Sequence, residues 1–296
     1  MRFGGAEIAL ALAVLVGGCD FQVPSLDEPA EDLSVAQDFT IRGGNLDDGG
    51  TPDDLTVAAP VPDLSAPPPD LVTPPCVVVT ESFAADPAAS WTLLGDATYD
   101  AVGKRLQVTS LGNNVAGSAF YSQPLRTEAF DASFTFRISD GQGADGMAFV
   151  FAKATNATAL VPFGNGQANL GYGLGYLGMK GFAVELDTFN NITNGDPNDN
   201  HVALMRASDG AHLLVGTPAQ PPLHSSMERQ AHVRFTGTHV LIEIDGVKII
   251  EADLPSGSTF TTDEYYFGFT GSSGGWTDRH SITNFKLTVG APGTCF

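Results

Sequence analysis

Apolar and polar residues alternate with a period of two in nine runs along the C-terminal part of this chain. They are Ala132–Ile138, Met147–Ala152, Gly181–Phe189, Val202–Arg206, His232–Thr236, Val240–Ile244, Val247–Ala252, Tyr265–Thr270 and Ile282–Val289. Successive side chains of a strand point to opposite faces, so each run predicts a strand with one buried face. Only Asp245-Gly246 separates Val240–Ile244 from Val247–Ala252, which is the signal for a hairpin with a type I′ turn. No stretch of ten residues carries the three-and-four spacing of an amphipathic helix. About 220 residues of short strands and Gly/Asn/Asp turns predict an all-β sandwich over 76–296.

The pattern fails upstream. Residues 20–75 are Asp, Pro, Ala, Gly, Ser and Leu with few aromatics, and the unit Pro-Asp-Leu recurs at Pro62-Asp63-Leu64 and Pro69-Asp70-Leu71. Such a segment buries too little apolar surface to offset its ordering entropy, which predicts a disordered, extended linker. A recognition peptide is the other reading of it. Residues 1–19 carry Arg2, an apolar run from Ile8 to Val16, and Gly17-Gly18-Cys19. This fits a signal peptide better than a membrane span. Its end resembles the lipobox of bacterial lipoproteins, which implies lipidation of Cys19 and export. The protein would then be anchored in the bacterial cell envelope, at the outer membrane or cell surface, and would meet membrane only through that lipid. A plain secretory signal is the alternative. With Cys19 so used, Cys76 and Cys295 remain at the two ends of the sandwich, and one disulfide between them is expected in an oxidising compartment.

The formal charge is −20, which argues against nucleic acid as a partner. Within the strand-patterned part, candidate cation ligands gather in Gly181–Leu204, GFAVELDTFNNITNGDPNDNHVAL. Glu185 and Asp187 share one face of a strand, a turn-rich loop follows with Asn191 and Asp196, and His201 opens the next strand. Carboxylate and amide oxygens suit Ca²⁺, whereas carboxylates with one imidazole suit Mn²⁺ or Zn²⁺. An acidic loop that binds no metal is the bland alternative.

Several motifs in order carry a family resemblance: ADGMAFVF (Ala144–Phe151), GLGYLGMKGFAVELDTF (Gly173–Phe189), DPNDNHVAL (Asp196–Leu204) and FGFTGSSGGWTDRHSITNFKL (from Phe267). From Cys76 to Phe296 the chain resembles the L-type, or legume-type, lectins, and among them the bacterial members. The resemblance implies a concanavalin-like jelly-roll sandwich of antiparallel sheets that binds glycans without catalysis. It implies Ca²⁺ held by Asp187, the carbonyl of Phe189, Asn191 and Asp196. A second ion, Mn²⁺, would be held by Glu185, Asp187, Asp196 and His201. For the sugar it implies Asp145 as acceptor, Asn191 as donor, Phe189 as apolar platform and the N–H of a glycine among Gly173, Gly175 and Gly178, taken as Gly175. The last loop, with Gly275 and Trp276, would complete the site, Trp276 either stacking on ligand or packing within the loop. It also implies a cis Ala144–Asp145 bond. Self-association is left open.

Rival motifs fail on context. Gly173-x-Gly175-x-x-Gly178 precedes a strand where a dinucleotide site needs a helix. Gly271-x-Ser273-x-Gly275 likewise lacks the helix of a nucleophile elbow. Asp196-x-Asn198-x-Asn200 lacks the glycine and final glutamate of an EF-hand. His212, His224, His232, His239 and His280 show no ligand spacing and are expected to be surface or structural. The serious rival is a laminarinase-type glycoside hydrolase, whose strand carries Glu-x-Asp-x-Glu or Glu-x-Asp-x-x-Glu; here Phe189 or Asn190 stands where the acid/base belongs. A structural or adhesive lipoprotein without sugar binding is the third reading.

Overall fold

The computed structural model describes residues 76–216 and 221–296. The expected signal peptide over 1–19, lipidation of Cys19 and linker over 20–75 fall outside the described residues. Two eight-stranded antiparallel sheets face each other. Numbering strands along the chain, the back sheet runs β14 (Val247–Asp253), β13 (His239–Ile244), β12 (Arg229–Thr236), β7 (Ala129–Ser139), β16 (Arg279–Val289), β4 (Arg105–Thr109), β3 (Thr98–Asp100), with β1 (Val77–Glu81) also paired to β16. The front sheet runs β11 (Ala211–Val215), β10 (His201–Arg206), β9 (Lys180–Asp187), β8 (Gly146–Lys153), β15 (Asp263–Ser273), β5 (Val115–Tyr121), β2 (Trp91–Gly95), with β6 (Leu125–Thr127) also paired to β15. This is the all-β sandwich that the alternation predicts, in the jelly-roll form that the resemblance implies.

The two sheets are dressed differently. In β12 the buried positions Ala231, Val233 and Phe235 alternate with half-exposed His232, Arg234 and Thr236, as expected of a sheet with one wet face. In β8 every residue from Gly146 to Ala152 is buried. Met147, Phe149 and Phe151 point between the sheets, while Ala148, Val150 and Ala152 pack in a second cluster with Leu160, Leu174, Tyr176 and Met179. The segment 157–179 therefore roofs the front sheet. Between the sheets, Phe130, Phe134, Phe149, Phe151, Phe267 and Phe269 lie in mutual edge and stacked contacts with centroids 4.9–6.3 Å apart. Each such fully buried ring contributes about 1.5–3 kcal/mol by burial.

The predicted hairpin is present. Asp245 and Gly246 both take positive φ, 50° and 75°, as a type I′ turn demands. Cys76 and Cys295 form the expected disulfide, closing a separation of 219 residues. Gly290 permits it: a Cβ there would stand 2.3 Å from the Cys295 Sγ. Seven strands were not separately predicted: β1 to β6 and β11.

Candidate functional site

The front sheet and its roof place two adjoining sets of polar side chains. On β9, Phe182, Val184 and Leu186 enter the inter-sheet core, so Glu185 and Asp187 face the roof. β10 pairs His201 with Asp187 and Ala203 with Glu185, which puts His201 on the same face. The loop between these strands folds back so that Asp196 joins them: His201 Nε2 lies 4.0 Å and His212 Nε2 3.8 Å from Asp196 Oδ1. Asp187, Asp196 and His201 each bring a donor atom within 4.8 Å of the others, and so do Glu185, His201 and His212. His212, expected from the sequence to be surface or structural, is thus brought beside the cluster. A register shift between Leu204 and Met205 puts His212, rather than Leu213, opposite Met205. A bulge of this kind reverses the facing of every side chain beyond it.

This cluster has few internal partners. Phe189 N–H donates to Asp187 Oδ1 at 2.7 Å and Asn191 N–H to Asp196 Oδ2 at 2.6 Å. Tyr176 donates its hydroxyl to Glu185 Oε1. Glu185 Oε2, Asn191 Oδ1, His201 Nε2 and His212 Nε2 are buried with no hydrogen-bond partner. Burial pushes Glu185 up to about 8, with Asp196 adding repulsion and the Tyr176 hydrogen bond opposing it. Burial and then Glu185 push Asp187 well above the carboxylate range. Dry carboxylates that repel one another, beside imidazole and amide atoms with nothing to bind, fit a cation. Among the sequence-predicted ligands, Glu185, Asp187, Asp196 and His201 are brought together, with Asn191 alongside.

The second set lines a shallow cavity of about 210 Å³, formed by Ala144, Asp145, Asn169, Gly171, Tyr172, Phe189, Asn191, Gly274, Gly275 and Trp276. The Ala144–Asp145 bond is cis. Asp145 is 5 % exposed, and its Oδ2 accepts from Gly274 N–H at 2.5 Å. Burial raises its pKa to about 6 against the pull of that N–H. Phe189 and Trp276 meet edge to face, centroids 5.8 Å apart, and Trp276 is 55 % exposed. The loop bearing Trp276 is tied down on both sides. Gly275 accepts from Asn113 Nδ2 at 2.6 Å, Gly141 N–H donates to Asp278 Oδ1 at 2.9 Å, and His224 Nδ1 lies 2.7 Å from Asp278 Oδ2. His224 and His280 thus have structural roles, the latter fully buried against Thr109.

Gly175 is a correction. It lies outside the cavity, its missing Cβ facing the backbone of Gly271 and Gly117. The glycine that the roof segment brings to the cavity is Gly171, where a Cβ would stand 1.9 Å from Asp145 Oδ2. The repeating Gly171-Tyr172-Gly173-Leu174-Gly175 offers three glycines at equal spacing, and only the fold tells them apart. Asn169, Tyr172 and Gly274 were also missed.

The model of the legume lectin domain matches residues 79–293. A lectin of Leucomphalos mildbraedii is 35 % identical over 128 residues, covering 37 % of this chain and 52 % of that protein. The L-type lectin-domain containing receptor kinase SIT1 of Oryza sativa subsp. japonica is 28 % identical over 254 residues, covering 72 % of this chain and 37 % of the kinase. The chain thus spans about half or less of these relatives. Among solved structures, peanut lectin aligns with a TM-score of 0.57 at 21 % identity, covering 72 % of this chain and 97 % of its own. The VIP36 exoplasmic/lumenal domain in its Ca²⁺/Man₃GlcNAc-bound form aligns with 0.52 at 20 % identity, covering 68 % and 86 %. Lectin UEA-II complexed with galactose aligns with 0.56 at 18 % identity, covering 72 % and 98 %.

Proposed function

The chain belongs to the legume lectin family, and from that premise we propose that it is a Ca²⁺-dependent, non-catalytic glycan-binding protein. The observation that carries this reading is the adjacency of the two sets. Asn191 lines the sugar-sized cavity while its Oδ1 is buried without a partner beside the carboxylate cluster.

Each residue has a physical task. Asp145 presents a carboxylate already held by Gly274 N–H, so its remaining acceptor capacity can take sugar hydroxyls. Phe189 and Trp276 offer apolar ring surface for the C–H face of a pyranose. Asn191 uses its Nδ2 on the sugar side. Gly171 lets Asp145 approach the roof. Glu185, Asp187, Asn191, Asp196 and His201 fit a hard cation with or without a second ion, and the carbonyl of Phe189 would join them. A bound cation would neutralise the repelling carboxylates and fix the 188–200 loop that carries Phe189 and Asn191.

Binding is favoured over hydrolysis because glycosidases flank the scissile bond with two carboxyl groups. Among the residues lining the cavity, Asp145 is the single carboxylate; Glu185 and Asp187 are spent in the buried cluster. The lipobox-like Cys19 motif supports a lipid anchor on an exported protein, with the acidic segment 20–75 as tether. A glycan array probed with and without Ca²⁺ tests the function. Binding that appears only with Ca²⁺ is expected. Binding that survives excess EDTA, or release of reducing ends from a β-glucan, would overturn it.

A further inference from the structure

Three donors in the ion cluster form a group that an oxygen-rich site does not need. Glu185 and His201 are 3 % and 0 % exposed, and His212 joins them from β11 only because of the bulge at Leu204/Met205. The His201 ring is oriented by its own loop. Nδ1 lies 2.9 Å from the carbonyl oxygen of Asn198, so this nitrogen carries the proton and Nε2 presents its lone pair inward. His212 Nε2 and Glu185 Oε2 are likewise buried without partners. The two rings stand 6.2 Å apart between centroids, too far for contact between them and suited to a small ion. A cavity of about 290 Å³ bounded by Tyr172, Tyr176, Glu185, Asp196, Met205 and His212 leads to these atoms.

We propose that His212 is a metal ligand, and that Glu185, His201 and His212 form a carboxylate–bis-imidazole site for a transition cation of the Zn²⁺ class. Mn²⁺ prefers carboxylate, carbonyl and water oxygens; a second imidazole moves the preference toward Zn²⁺, Co²⁺ or Ni²⁺. The inference rests on the metal-dependent reading for the presence of a cation, and not on sugar recognition.

The test uses the full chain without a histidine tag and with Cys19→Ser, stripped by chelation and returned to saturating Ca²⁺. Zn²⁺ and Mn²⁺ affinities are then measured by calorimetry. Most sites prefer Zn²⁺ to Mn²⁺, so the diagnostic is the ratio. His212→Ala is expected to lower Zn²⁺ affinity about 10–100-fold, as loss of a site residue typically does, while Mn²⁺ and Ca²⁺ affinities change less than about twofold. A second measurement needs no variant: ¹⁵N spectra of the imidazoles should show the His212 Nε2 resonance move when Zn²⁺ is added. An unchanged Zn²⁺/Mn²⁺ ratio in His212→Ala, or a His212 resonance that ignores Zn²⁺, overturns the proposal. Glycan binding in Ca²⁺ is recorded on the same samples. Its absence alongside an intact Zn²⁺ result would sink the sugar reading alone.

Discussion

Two clusters of carboxylates and imidazoles sit on adjacent strands of this sandwich, one on each sheet, and they are built to opposite rules. On the back sheet, His232 lies 2.8 Å from both Asp131 and Glu243, and Arg234 Nε donates to the same Asp131 at 2.7 Å. Every charge has a partner of opposite sign. On the front sheet, His201 and His212 stand 4.0 and 3.8 Å from Asp196, beyond hydrogen-bonding reach, and three carboxylates share the space. The titrations follow. The hydrogen bond that His232 donates to Asp131 raises the His232 pKa, whereas burial lowers that of His201. Paired charges hold two strands together; unpaired dry ones wait for something else. Composition alone does not separate the two cases, and distance does.

The largest break in this contrast comes from Asp187→Asn. Ca²⁺ affinity should fall by at least about 100-fold, as removal of a ligand shared by the cluster implies. The Ca²⁺-free variant should melt no lower than the Ca²⁺-free parent, because one repelling charge has gone. Melting curves with and without Ca²⁺ check both; a destabilised Ca²⁺-free variant would count against the unpaired picture. Asp131→Asn should instead lose stability equally in either condition.

Next in size is metal removal itself. At Ca²⁺ one hundred times its Kd, the folded state gains about 2.7 kcal/mol, so EDTA should lower Tm by roughly 5–10 °C. Far-ultraviolet circular dichroism should keep its β signature throughout. Loss of that signature on chelation would mean that the core, not the site, depends on the ion.

A smaller effect tests the back sheet. His232 has a folded pKa above its unfolded value near 6.5, so its stabilisation is fully present below about pH 6.5. It is lost as pH rises through the higher folded value. With the side chain a quarter exposed, the effect should stay under about 1 kcal/mol. Stability against pH in EDTA should fall across that window for the parent and stay flatter for His232→Gln. The smallest change concerns the cavity: Trp276→Ala should weaken glycan binding about fivefold and leave Ca²⁺ affinity unchanged, measured by calorimetry for each.

The ligands from β9 and its loop were legible because order along the chain is order in the site. Glu185 and Asp187 share a face by strand parity, and Asp196 and His201 follow within one hairpin. His212 was illegible for the same reason inverted: a bulge cancels parity, and no sequence signal marks it. Asp145, in the bend just before β8, was found only through resemblance. The sandwich itself was readable in β12 and β13, where one face is wet. β5 is buried at five of its seven positions and β11 is half-exposed almost throughout, so neither alternates.

The disulfide has a mechanical consequence. β16 starts three residues after Trp276 and runs eleven residues, about 34 Å of extended chain, toward the end that Cys295 fastens to Cys76. Tension applied ahead of Cys76 therefore enters β1 and the tail of β16 together, through a covalent crosslink. β1 cannot be stripped from its partner alone. A pull from residue 75 against a load at the Trp276 loop would be carried by one continuous strand down the middle of the back sheet, gripped on one side by β7 and on the other by β4 and β1.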